Sequence, residues 1–246
     1  DRRVHELVRE AVVTARVTTL KGPDAGAYYV DGPGRYYLDG DEPPGRWLGR
    51  GADALGLAGE GDDNAFLSLM DGRDPLSGEL LGTSHYERTV RGFDVTCSAP
   101  KSVSVLFAIG DDSVRHEVLD AHDAAVAAAF GWIEDYAHCR YRLDGEVWTV
   151  DARGLVAAAF RQHTSRAHDP QLHTHLVIPN RVMAPDGRWL ALDARTLKHD
   201  QRTVSALYAA ALRAELTTRL GVRWNEVENG QAEMADAPEE VLDGHV

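Results

Sequence analysis

Residues 160–180, FRQHTSRAHDPQLHTHLVIPN, hold four histidines, two arginines and an Asp-Pro corner. His173-Thr174-His175 runs into Leu176-Val177-Ile178, which reads as a buried strand. Strand side chains alternate, so His173 and His175 share one face while Thr174 points to the other. Burying two imidazoles is costly without partners, and a divalent cation is the simplest common partner. The apolar run from Leu155 to Phe160 reads as a second strand that delivers Gln162 and His163 as candidates for a third ligand. Asp169-Pro170 is the turn that joins the two strands. Two or three protein ligands leave coordination positions open to a substrate oxygen, as in Lewis-acid chemistry on a phosphoryl or carbonyl group.

A second constellation lies in residues 92–110, GFDVTCSAPKSVSVLFAIG. Phe93, Val95 and Cys97 alternate with Asp94 and Thr96, so one strand face is apolar and the other carries a carboxylate. Asp94 could then hold one ligand imidazole through the ring's other nitrogen. Ser98 suits a helix N-cap, with Pro100 in the first turn of a helix running to about Ile109. Tyr28-Tyr29 and Tyr36-Tyr37 form two pairs eight residues apart, with Gly and Pro between them. Aromatic packing is the bland alternative for both pairs. Arg161, Arg166 and Lys101 are candidate phosphate contacts, and a surface salt bridge is the alternative for the two arginines. His85, His116, His122, His138 and His199 stand alone and read as structural.

The remaining elements must position these groups. Ala15 to Leu20 alternates as a strand, Asn64 to Asp71 as a short amphipathic helix, and Asp112 to about His138 as a long helix with an Ala- and Val-rich face. Tyr141 to Val150 reads as a strand pair around Asp144-Gly145, and Val182 to Leu192 turns at Pro185-Asp186-Gly187. Thr203 to Leu220 is a helix closed by Gly221. The expected class is α/β: a two-layer sandwich with a central, mostly antiparallel sheet carrying the histidines, flanked by helices. The expected divisions are an N-terminal extension, 1–14, beginning in a short helix; a catalytic domain, 15–221; and an acidic segment, 222–246, read as the start of a truncated lid.

The chain of 246 residues is long enough for a real core, and Cys97 and Cys139 form no zinc or disulfide pattern. There is no membrane-length apolar run and no signal-peptide core, so a reducing cytoplasm is the expected compartment. A net charge of −13 argues against coating nucleic acid by bulk charge. The distribution is less hostile than the sum: from Arg153 to Arg223, eleven Lys and Arg stand against five Asp and Glu. A phosphate backbone would have to lie in that basic part.

Asp94-Val95-Thr96-x-Ser98-Ala99-Pro100-Lys101-Ser102-Val103-Ser104, with Thr164-Ser165-Arg166-x-x-Asp169-Pro170-Gln171-Leu172-His173-Thr174-His175, resembles the MobF-type conjugative relaxases. These are HUH endonucleases, in which two histidines flank a usually hydrophobic residue; Thr174 fills that place here. The resemblance covers roughly Ala15 to Gly221. It implies strand- and site-specific nicking of single-stranded transfer-origin DNA, with a 5′-phosphotyrosine intermediate and later strand transfer. By position it implies Tyr28 as first nucleophile beside Tyr29, Tyr36 and Tyr37 as the second pair, and Asp94 as the carboxylate that orients a metal-binding histidine. The implied cofactor is magnesium or manganese, with zinc or nickel possible in a crystal. The implied partners are relaxosome accessory and coupling proteins, the parent protein often carrying a C-terminal helicase and passing with DNA to a recipient cell.

One departure matters. The family's third metal histidine commonly stands at the place of Gln162, and here the histidine comes one step later, at His163. Neighbours on a regular strand face opposite ways, so either a bulge brings His163 in or Gln162 offers its amide oxygen. The reading leans to His163, because the apolar strand can end at Phe160. Rival readings are a rolling-circle replication initiator, separated by its later tyrosine, a metal-dependent hydrolase using water, and a non-catalytic DNA-binding remnant.

Overall fold

The structure, a computed structural model, describes residues 14–31, 43–83, 89–165, 169–228 and 230–237. The expected helix within 1–13, and Tyr36, Tyr37, His85 and Arg166, lie outside the described residues. The first half of the chain forms β1 (Ala15–Lys21), α1 (Ala27–Asp31), β2 (Arg46–Leu48), α2 (Arg50–Ala54), α3 (Asp63–Met70), β3 (Val90–Ser98), α4 (Lys101–Ile109) and α5 (Asp112–Asp135). The second half forms β4 (His138–Leu143), β5 (Glu146–Asp151), β6 (Gly154–Leu155), β7 (Ala157–Thr164), β8 (Pro170–Pro179), β9 (Val182–Met183), β10 (Trp189–Leu190), α6 (Ala194–His199) and α7 (Gln201–Leu220).

The main sheet has the order β1-β3-β8-β7-β2, and every neighbouring pair is antiparallel. Its two faces follow from alternation. Phe93, Val95, Cys97, Leu172, Leu176, Ile178 and Ala157 face α5 and α7 in the larger core. Buried residues of α5 recur at 118, 121, 122, 125, 126, 129, 130 and 133, and those of α7 at 204, 208, 212 and 216, each a single stripe along its helix. The other face carries Ala158, Phe160 and Val177 against Trp47, Ala52, Phe66 and Leu69, in a smaller core with α2 and α3. At roughly 1.5–3 kcal/mol for each large apolar side chain buried, these two clusters are what hold the sheet between its layers.

Local signals set most boundaries. Asp111 caps α5 and Asp62 caps α3, each accepting from the backbone N–H three residues on. Asp144 and Gly145 both take positive φ, 51° and 85°, as the two-residue turn between β4 and β5 demands. Ser98 caps nothing: it is the last residue of β3, and Pro100 occupies the cap position of α4. The long helix ends at Asp135, because residues from His138 onward pair in β4. The acidic tail folds back in its described part, with Trp224 bridged to Met234. There Glu233 accepts from the Ser102 backbone N–H at 2.9 Å, satisfying an N–H in the first turn of α4.

A buried polar chain crosses the helix face. Tyr208 Oη lies 2.8 Å from His122 Nδ1, and His122 Nε2 lies 2.8 Å from Thr174 Oγ1. Burial, and then the positive charge of Arg161, push His122 down to about 3 from the ordinary 6.5, so the ring is neutral. Between those pH values the unfolded chain binds a proton that the folded chain does not. Stability is therefore greatest above about pH 6.5 and is lost toward pH 3, with a slope of about 1.4 kcal/mol per pH unit for one proton. Urea unfolding at pH 7 and pH 4.5 should show wild type losing about 2–3 kcal/mol more than His122→Gln; equal losses would mean that the folded state already accepts this proton.

Candidate active site

Strand register assembles the site on the face away from α5 and α7. His175 is paired with Thr96 on one side and Phe160 on the other, and His173 with Ser98 and Gln162. The two imidazoles sit edge to face, with centroids 5.1 Å apart. Asp94, two residues before Thr96 and on the same face, is buried and brings its Oδ2 to 2.8 Å from His175 Nδ1. A carboxylate only accepts, so His175 carries its hydrogen on Nδ1 and its Nε2 presents a lone pair. The same Oδ2 accepts from the Tyr29 hydroxyl at 2.9 Å.

The tyrosine pair rides on α1, an element the sequence leaves unassigned. Tyr29 is held on several sides: its ring stacks on Phe160 at 5.6 Å and meets Phe66 and His175 edge-on at 6.2 and 5.5 Å. Burial, and then the Asp94 carboxylate, raise its phenol well above the usual range. Tyr28 points differently. It is 40% exposed, with its ring edge-on to His175 at 6.3 Å. Tyr28, Tyr29, Asp94, His173, His175 and Gln162 therefore converge.

Three other candidates are placed elsewhere or apart. The register irregularity in β7 falls at His163 itself, between Gln162 and Thr164, and leaves Gln162 paired with His173 while His163 stays off the histidine face. His163 instead packs against Phe107 of α4 at 4.8 Å, and burial followed by Arg161 pushes it down to about 4. Its Nε2 has no hydrogen-bond partner among the described residues. Arg161, one alternation step from Gln162, also lies on the helix face, where it pairs with Asp123 at 2.8 Å. Lys101 begins α4, just past the end of β3. Sequence reasoning missed Tyr29 as a partner of Asp94, since only the fold brings residues 65 positions apart together.

The donor set can be tested against a metal from the His173 contacts. His173 Nδ1 lies 2.9 Å from the Gln171 carbonyl, so it must carry the ring hydrogen, and burial lowers the ring's affinity for a second proton. Its Nε2 is then a lone pair, 3.0 Å from the Gln162 side-chain oxygen. Two acceptors at that distance repel unless the amide turns over or a cation lies between them. Donors about 2.1 Å from a shared ion and at right angles to each other are about 3.0 Å apart, so the spacing fits. Among the described residues no three of His, Cys, Asp and Glu gather as a metal cluster, and the oxygen beside the two imidazoles is that of the Gln162 amide. Long-range ¹⁵N–¹H NMR of the metal-free protein should find His173 and His175 both in the Nδ1–H form. Asp94→Ala should convert His175 to a tautomer mixture and leave His173 as it was; a wild-type mixture at His175 would contradict the Asp94 contact.

The sequence matches the TrwC relaxase family over residues 21–245. The multifunctional conjugation protein TraI of Escherichia coli strain K12 is 36% identical over 231 residues, 89% of this chain and 13% of the TraI length. A second Escherichia coli TraI is 41% identical over 171 residues, 69% of this chain and 9% of its own length. The chain thus spans only a small part of these relatives. Among solved structures, the metal-free conjugative relaxase TrwC in complex with oriT DNA superposes with a TM-score of 0.80 at 34% identity, covering 94% of this chain and 78% of the other. The metal-bound form of that complex gives 0.80 at 32% identity, covering 92% and 78%.

Proposed function

Because this chain belongs to the TrwC relaxase family, we propose that it nicks one strand of transfer-origin DNA, with Tyr28 as the attacking nucleophile. The observation that carries the reading is the edge-on approach of the more exposed tyrosine to His175, whose Nδ1 is already committed to Asp94. The Tyr28 phenol oxygen forms a bond to phosphorus as the bond from phosphorus to the 3′ oxygen breaks. The phenol gives up its proton and the leaving oxygen takes one, so a 5′-phosphotyrosine link and a free 3′-hydroxyl result. The link keeps the phosphodiester energy for later strand transfer.

His173, His175 and the Gln162 amide oxygen would hold a divalent metal. When bound, it would polarise a non-bridging phosphate oxygen and offset charge in the transition state. Asp94 holds His175 in the ligand tautomer and fixes Tyr29. With two donors already on Oδ2, it is better suited to orientation than to taking a proton from Tyr28. Tyr29 is a positioning group, its hydroxyl spent on Asp94 and its ring wedged on Phe160. By affinity the nitrogen-rich donor set favours zinc, nickel or copper, while magnesium or manganese is the turnover ion that the family resemblance implies. Tyr36 and Tyr37 we assign to the second transfer, and Arg166 and Lys101 to phosphate contacts. Arg161, paired with Asp123 on the far face, is better read as structural.

The relaxase unit then runs from about residue 15 and includes the tail hairpin that caps α4, rather than stopping at Gly221. Relaxosome and coupling proteins are the expected partners, and the cytoplasm is the expected site of action. No helix among the described residues is long and apolar enough to cross a membrane.

Incubation with a single-stranded transfer-origin oligonucleotide and Mn²⁺ should give a protein–DNA adduct stable to denaturant. Tyr28→Phe should abolish it, whereas Tyr29→Phe should slow it on the order of tenfold, a loss typical of an orienting contact. An undiminished adduct from Tyr28→Phe would move the nucleophile elsewhere; cleavage without any adduct would favour a water-using hydrolase. For the third donor, titration with Mn²⁺ should show at least about tenfold weaker binding in Gln162→Ala and unchanged binding in His163→Ala. The reverse pattern would return the ligand role to His163.

A further inference from the structure

The residue between the two histidines is itself built into a device. β8 sends Leu172, Leu176 and Ile178 to the helix face, all fully buried, and Thr174 goes to the same face. There an apolar side chain would pack without cost, yet a hydroxyl is present, 2% exposed and bonded to His122. His122 is fully buried in α5, and Tyr208, equally buried in α7, completes the line.

The hydrogens in that line can be assigned. A neutral imidazole has one N–H. If His122 donated to Tyr208, the phenol hydrogen would be left in an apolar enclosure, which is expensive. If Tyr208 donates to Nδ1, then Nε2–H donates to Thr174. The hydrogen left over is that of Thr174, which lines a cavity of about 140 Å³ with Arg46, Arg161 and the carboxylates of Asp123 and Glu60, the last two being acceptors for it. The line therefore runs one way, from α7 through α5 to the strand. Each bond is directional, unlike apolar packing, which tolerates rotation of a strand about its axis.

We propose that the Tyr208–His122–Thr174 chain fixes the rotation of β8 and thereby aims the imidazoles of His173 and His175 at a common metal, making Tyr208 and His122 positioning residues for that site. The proposal rests on reading His173 and His175 as metal ligands. The side chains on either side of Thr174 point away from it, so a small rotation at Thr174 swings both rings together. Apolar packing alone would hold the strand in the sheet but leave that rotation softer.

The test uses the full chain and Mn²⁺ alone, with free Mn²⁺ followed by electron paramagnetic resonance and the thermal midpoint measured alongside. Thr174→Val and Tyr208→Phe each remove one hydroxyl and keep the bulk. Both should weaken Mn²⁺ binding about tenfold or more, in the range seen when groups behind metal ligands are removed. Leu212→Ala, a buried α7 residue outside the chain, should lower the midpoint while leaving Mn²⁺ affinity within about twofold. His122→Gln keeps a donor for Thr174 and should bind more tightly than His122→Leu. A merely structural role predicts lower midpoints with wild-type affinity in Thr174→Val and Tyr208→Phe, and that result overturns the proposal. Failure of the ligand reading looks different: wild type and His175→Ala would then bind Mn²⁺ alike, and the proposal would fall with it.

Discussion

Everything at the site depends on one oxygen. Asp94 Oδ2 accepts from His175 Nδ1 and from the Tyr29 hydroxyl, at 2.8 and 2.9 Å, in a buried setting. Those two bonds fix the tautomer of one imidazole and the place of one phenol at once. They also tie β3, β8 and α1 together at a single point, three elements that meet only in the fold. Thr96 Oγ1 adds a third, longer contact at 3.3 Å to Oδ1, and hydrogen bonds to a carboxylate are worth roughly 1.5–3 kcal/mol each. Taking Asp94 away would leave the half-buried Tyr29 hydroxyl without its acceptor and His175 Nδ1 with only the longer Thr96 Oγ1 contact at 3.3 Å.

The two faces of the sheet divide the labour, and β8 serves both. Odd-numbered 173 and 175 face the site, while even-numbered 172, 174, 176 and 178 face the helices. The same parity explains why Gln162 stands beside His173 and why Arg161 and His163 are carried to the opposite side. Structural histidines and chemical ones are thus separated by a single residue step. His122 shows how such a residue differs from a ligand: both of its nitrogens are already spoken for, and its surroundings keep it uncharged.

Much of this was legible in the chain. The HTH pair before an apolar run, the alternation around Asp94 and the DG and PDG turns set the strands, and the antiparallel sandwich follows from them. The choice between Gln162 and His163 was not legible, because it hinges on whether a bulge falls before or after residue 162. Sequence carries no sign of a one-residue slip when the flanking residues, Arg161 and Thr164, are polar on either side. Arg161 looked like a phosphate contact for the same reason: its partner Asp123 lies 38 positions away on a helix. The polar thread behind Thr174 was equally hidden, since one His and one Tyr in two Ala-rich helices, 86 positions apart, give no hint that they meet.

Helix α1 is only five residues long, too short to be stable by itself, and Tyr29 and Val30 moor it. Consecutive helical residues diverge by about 100° around the axis, so mooring one leaves its neighbour free. Tyr28, 40% exposed, can therefore change its direction by a side-chain rotation on a picosecond-to-nanosecond timescale, without waiting for slower backbone rearrangement. Adjacent tyrosines in this arrangement resemble an anchor and a boom: Tyr29 is tied to Asp94 and Phe160, and Tyr28 reaches outward from that pivot.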